Sequence, residues 1–119
     1  MDYLVCIGSN EGREEHMSLA RHELTARFDQ VRFSAELETE PLGMSHSGQF
    51  TNQLVRFVSD ASPQDVNRQL KEIERLAGRC PEDKAHEVVK LDLDLLMVDE
   101  KVMRNDDLER DFVKQLWFK

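Results

Sequence analysis

The hydrophobic period of this chain switches between two and about 3.6 in a set order, and that order restricts the fold more than any single motif. Tyr3 to Ile7 is a short apolar run closed by Gly8-Ser9-Asn10, which reads as a strand ending in a turn. Between Gly12 and Phe28 the apolar residues Met17, Ala20, Leu24 and Phe28 form one stripe of an amphipathic helix. Glu14 and Glu15 suit its N-terminal end. Val31, Phe33, Ala35 and Leu37 then alternate with Arg32, Ser34, Glu36 and Glu38, which predicts a half-buried strand with four apolar residues on one face. Thr39 to Gln49 lacks periodicity and reads as a loop, and Phe50 to Val58 as the next strand. Ser62-Pro63-Gln64-Asp65 is a helix start, with Ser as N-cap and Pro at the first helical position. Val66, Leu70, Ile73 and Ala77 form the buried stripe of that second helix, and Gly78 ends it. A polar loop, Arg79 to Glu87, leads into a strand around Leu91–Val98, and Asp99-Glu100-Lys101 turns into a hairpin through Val102-Met103. Asp107 to Phe118 is a last short helix or irregular tail anchored by Phe112, Leu116 and Trp117. The order β-α-β-β-α-β predicts an α+β fold, a ferredoxin-like sandwich with two helices on one face of an antiparallel sheet. The other face is then free for a site.

Composition narrows the function classes. A chain of 119 residues without a linker or repeat fits one domain, 1–119, and 39% hydrophobic content supports a packed core. No apolar run approaches the roughly 20 residues a membrane span requires. The start, Met1-Asp2-Tyr3-Leu4-Val5-Cys6, lacks the basic region of a signal peptide. Cys6 and Cys80 match no metal spacing and read as free thiols in a reducing cytoplasm. A net charge of −8 argues against nucleic-acid binding, which needs a basic footprint. An acidic chain still binds a polyphosphate where metal ions and a few local arginines reverse the field.

Leu91-Asp92-Leu93-Asp94-Leu95-Leu96 carries the clearest chemical signal. Alternation puts Leu91, Leu93 and Leu95 on one face and projects Asp92 and Asp94 from the other. Carboxylates at i and i+2 on a strand lie about 6.5–7 Å apart at Cα, within reach of one metal ion or a pair. Hard oxygen donors of this kind suit Mg²⁺, which keeps its waters and completes its shell with substrate phosphates. A solvated polar face on a half-exposed strand has the same pattern, so the neighbouring strings decide between the two.

Five strings recur in order on the predicted elements. They are Ile7-Gly8-Ser9-Asn10, Thr39-Glu40-Pro41-Leu42-Gly43, Phe50-Thr51-Asn52, Glu74-Arg75-Leu76-Ala77-Gly78-Arg79 and Leu91-Asp92-Leu93-Asp94-Leu95-Leu96. Together they resemble the 6-hydroxymethyl-7,8-dihydropterin pyrophosphokinase family, with a weaker match at Arg110-Asp111-Phe112-Val113. The resemblance implies a single pterin pyrophosphokinase-like domain that transfers a pyrophosphoryl group from ATP to a reduced pterin in folate biosynthesis. It implies Mg²⁺, two ions, with Asp92 and Asp94 as metal ligands and, with Arg79, as the catalytic set. Thr39, Leu42, Phe50, Asn52 and Phe112 match the pterin-binding positions. Glu74, Arg79 and Arg110 match the nucleotide side.

The departures from the family all fall on that nucleotide side. In the segment from Cys80 to Lys90, Pro81 and Val89 stand where arginines are expected and His86 where a tryptophan is. Three acids face two lysines there, Lys84 and Lys90. The family's proline-histidine segment before Arg-x-Phe is missing after Met103. Three readings follow: an active pyrophosphokinase with Lys84, Lys90 and Arg110 replacing lost cations, a catalytically degenerate pterin-binding protein, and a ferredoxin-like interaction module.

Overall fold

The computed structural model describes residues 1–39, 50–86 and 88–103, Lys84 by its backbone alone. Strand β1 (Asp2–Ser9) is buried from Tyr3 onward, as expected of a strand with neighbours on both edges and packing on both faces. Its eight residues pair antiparallel with β4 (Phe50–Val58) on one side, and β5 (Asp92–Val98) pairs antiparallel on the other. The six-stranded sheet runs β2-β4-β1-β5-β6, with β2 (Asp29–Phe33) and β3 (Leu37–Thr39) both on the outer edge of β4. The hairpin partner β6 (Lys101–Val102) closes the far edge. All pairings among the described residues are antiparallel, which is the predicted ferredoxin-like arrangement.

Helices α1 (Arg13–Arg27) and α2 (Pro63–Leu76) cover one face through the stripes read from the sequence. Met17, Ala20, Leu24, Val66, Leu70 and Ile73 are buried against Val5, Ile7, Leu91 and Leu93. Phe28, Phe57 and Tyr3 stack in series, with centroids 4.0 and 5.4 Å apart, and the Tyr3 hydroxyl donates to the Ala61 carbonyl at 2.6 Å. Ser62 caps α2 by accepting from the Asp65 N–H at 3.2 Å, and Gly78 takes φ +86° just beyond its end. Among the described residues, no helix is long and apolar enough to cross a membrane.

Four expectations change. The strand predicted through Val31–Leu37 is broken at Ser34, whose hydroxyl replaces a backbone acceptor and takes the Leu54 N–H at 2.9 Å. Val31 and Phe33 pack on the helix side, but Leu37 emerges from the break on the opposite face and Ala35 is exposed. The face away from the helices is not free, because Leu4, Cys6, Leu54 and Leu96 form a second buried cluster there. Leu96 reaches it through a bulge: Val5 pairs with Leu95 and Leu4 with Met97, so Leu96 is the extra residue. Gly8 belongs to β1 rather than to a turn. The polar loop after Arg79 contains a one-turn helix, α3 (Glu82–Ala85). The tail predicted from Asp107 lies outside the described residues.

Replacing Ser62 by Ala removes the side-chain acceptor that caps the start of α2. The expected cost is about 1 kcal/mol. Urea unfolding should show a lower midpoint with an unchanged slope.

Candidate active site

Register places three named residues in one row across the sheet. Gly8 pairs with Asn52 on β4 and with Asp92 on β5. An amide, a position without a side chain and a carboxylate therefore follow one another on the face away from the helices. A methyl built on Gly8 would lie 3.4 Å from Asn52 Oδ1 and 3.9 Å from the Phe50 ring, so the missing Cβ opens a gap bordered by both. Asn52 Nδ2 donates to Thr39 Oγ1 at 2.6 Å, which fixes the amide with its oxygen toward the gap. Thr39, Phe50 and Asn52 lie close together, because β3 and β4 pair Thr39 with Phe50 and Leu37 with Asn52. Leu42, Phe112 and Arg110 lie outside the described residues.

Asp94 occupies the next row, opposite Cys6, on the same face as Asp92. Leu91, Leu93 and Leu95 are buried toward the helices, as the alternation predicts. Burial pushes the Asp92 carboxyl up, but hydrogen bonds with Asp94 and Arg79 and the charges of Arg79 and Lys71 outweigh it and hold the group below the usual carboxylate range. Arg79 Nη1 donates to Asp92 Oδ1 at 2.9 Å and to the Leu91 carbonyl at 3.3 Å, and it forms an ion pair with Glu74 Oε2 at 3.1 Å. Burial works against the Arg79 charge, yet its bond to Asp92 and the charges of Glu74, Asp92 and Asp94 raise its pKa.

Glu74 is buried, unlike the other charged residues of α2. It is 3% exposed, and its Oε2 accepts the Leu93 N–H at 2.8 Å while Lys71 Nζ lies 3.3 Å from Oε1. The carboxylate of α2 thus grips the strand between the two aspartates. Burial raises its pKa in spite of the Leu93 bond and the nearby Lys71 and Arg79 charges.

Ser9 and Asn10 hold the other approach to β5. Ser9 Oγ donates to the Lys90 carbonyl at 2.6 Å, the Val89 N–H donates to Asn10 Oδ1 at 2.6 Å, and the Asn10 N–H donates to the Val89 carbonyl at 2.8 Å. Lys90, a candidate replacement cation, donates to the Gly78 carbonyl at 2.9 Å and lies 3.5 Å from Asp83. A groove of about 320 Å³ opens beside Asp94, between α2 and the edge of β5, with Gln64, Asn67, Lys71, Leu95 and Met103 in its walls.

Among the described residues, no group of three or more His, Cys, Asp or Glu side chains converges into a metal cage. Two carboxylates on one face fit a hard cation that brings water and phosphate oxygens as the rest of its shell, which is the habit of Mg²⁺. Gly8, Ser9, Asn10 and Lys71 take positions that sequence reasoning did not assign. For Gly8, Ser9 and Asn10 the signal in the sequence was the Ile7-Gly8-Ser9-Asn10 string itself, whose glycine follows an apolar run and marks a close approach.

Glu74→Ala should cost about 1–3 kcal/mol by leaving the Leu93 N–H without an acceptor, whereas Glu74→Gln keeps an acceptor and should cost less. The pH dependence separates them further. Because the folded-state pKa of Glu74 is raised, its contribution is fully present below the ordinary value of about 4.3 and declines as pH rises through the raised value. Asp92 acts oppositely: its lowered pKa gives a contribution present above about 3.9 and lost as pH falls below that. Denaturant unfolding across this range should show the first component in the parent and not in Glu74→Gln.

With this geometry in place, comparison with known families is specific. The family model described as 7,8-dihydro-6-hydroxymethylpterin-pyrophosphokinase (HPPK) matches residues 4–119, nearly the whole chain. The six-stranded antiparallel sheet with two long helices on one face is consistent with the ferredoxin-like fold of that family. The chain belongs to the HPPK family of pterin pyrophosphokinases.

Proposed function

We propose that this protein transfers the pyrophosphoryl group of ATP to the hydroxymethyl group of 6-hydroxymethyl-7,8-dihydropterin, in the cytoplasm and as a step of folate biosynthesis. The row Asn52–Gly8–Asp92 carries this reading, since it sets a gap for a flat ring beside a carboxylate pair. A pterin in that gap meets the Phe50 ring on a face and the Asn52 oxygen at an edge, where it accepts from ring N–H groups. Thr39 keeps the amide in that orientation. Leu42 and Phe112 are assigned to the same pocket, and Arg110 to the nucleotide, from their place in the family pattern.

The pterin hydroxyl oxygen attacks the β-phosphorus, the bond from that phosphorus to the α-phosphate oxygen breaks, AMP leaves, and the hydroxyl proton passes to solvent. Asp92 and Asp94 would hold Mg²⁺ ions, which would supply charge neutralisation on the phosphate oxygens. Arg79 is close enough to those carboxylates to contact the same phosphates. Glu74 serves the nucleotide side by positioning, because its oxygens are occupied by Leu93, Arg79 and Lys71. A second reading, pterin binding without transfer, draws on the acidic character of the 80–90 segment and the engagement of Lys90 at the end of α2.

Incubation with the pterin, ATP and Mg²⁺ should yield AMP and the pterin diphosphate. Pterin binding without AMP release would support the binding-only reading instead. Asp92→Asn and Asp94→Asn should each keep the fold and abolish Mg²⁺-dependent nucleotide binding; two variants that bind like the parent would exclude the metal role. Gly8→Ala should fold normally, since the added methyl meets Asn52 Oδ1 at 3.4 Å, yet weaken the pterin by tenfold or more in a fluorescence titration, roughly 1.4 kcal/mol or above. Unaltered pterin affinity in that variant would place the ring elsewhere.

A further inference from the structure

We propose that Lys71 on α2 is the side chain that holds the nucleotide's polyphosphate, in place of the cations missing from the 80–90 segment. This rests on the nucleotide reading of the site and goes beyond it by naming a further residue for it. The first support is a short relay. Lys71 Nζ lies 3.3 Å from Glu74 Oε1, and Glu74 Oε2 accepts the N–H of Leu93, the residue between Asp92 and Asp94. The ammonium is thereby tethered beside the carboxylate pair, where metal-bound phosphates have to lie.

The second support is direction. Lys71 and Asp94 both line the groove between α2 and the edge of β5, so a chain of phosphates leaving the carboxylates along that groove passes the ammonium. The third is availability. Lys71 is 46% exposed at its side chain, and Glu74 is its one hydrogen-bond partner among the described residues, which leaves N–H groups for a ligand. Lys90 is committed to the Gly78 carbonyl and Asp83 instead. A lysine is a compact point charge with rotatable donors, suited to phosphate oxygens without bidentate geometry.

The test titrates a non-hydrolysable ATP analogue, AMP and the pterin, each with Mg²⁺, into the parent and into Lys71→Gln, Lys71→Arg and Lys90→Gln. Lys71→Gln should weaken the ATP analogue by roughly 10- to 100-fold, the loss expected for a charge-assisted hydrogen bond. AMP and pterin affinities should stay within about twofold, Lys71→Arg should retain most of the affinity, and Lys90→Gln should match the parent. Unchanged affinity for the analogue in Lys71→Gln, or an equal loss for AMP and pterin, would overturn the assignment while leaving the nucleotide reading intact. A parent that binds pterin but neither nucleotide would overturn both.

Discussion

The hydrogen bond from the Leu93 N–H to the buried Glu74 carboxylate is the contact on which the site's geometry depends. It joins the last turn of α2 to the middle of the Asp-Leu-Asp segment, in a region where an unpaired N–H or carboxylate is costly. Everything charged nearby is arranged around it. Lys71 reaches Glu74 from the preceding helical turn, and Arg79 reaches both Glu74 and Asp92 from just beyond the helix. A helix that slid along the sheet would lose all of these partners together, so the bond acts as a register pin between the helical layer and the strand that carries the aspartates.

Legibility in the sequence followed the range of the interactions. Helix α2 was readable because its stripe, its Ser-Pro start and its glycine end are local, and each is where the pattern predicts. The facing of Leu91, Leu93 and Leu95 was readable for the same reason, since alternation needs no partner. The break at Ser34 was not, because it comes from a side-chain bond to Leu54, twenty residues away. Nor was the bulge at Leu96, which is settled by pairing with Leu4 and Val5. In the site, residue types and motif order pointed to Asp92, Asp94, Asn52 and Phe50. The burial of Glu74 and the grip of Ser9 and Asn10 on residues 89–90 are long-range polar contacts, and no periodicity records them.

The chain carries a net charge of −8, yet the surroundings of Asp92 and Asp94 are locally compensated. Burial raises the cost of an ionised Asp92, but its hydrogen bonds with Asp94 and Arg79 and the charges of Arg79 and Lys71 keep it below the usual range. Compensation comes from α2 and its C-terminal extension rather than from the 80–90 segment, where Lys90 is turned toward the helix end. The electrostatic design is therefore concentrated on a rigid element, and rigid elements hold charges at smaller positional cost than loops do.

The row across the sheet has a consequence for how such a pocket changes over time. Its opening is made by an absence, and glycine is the one amino acid that offers that absence at Gly8. The smallest step away, a single methyl, already enters the space between Asn52 and the Phe50 ring. Positions such as Phe50 admit graded exchange, through larger, smaller or more polar rings. Gly8 has no intermediate setting, so the aperture is binary: substitution grades its borders, while its centre is either kept or closed.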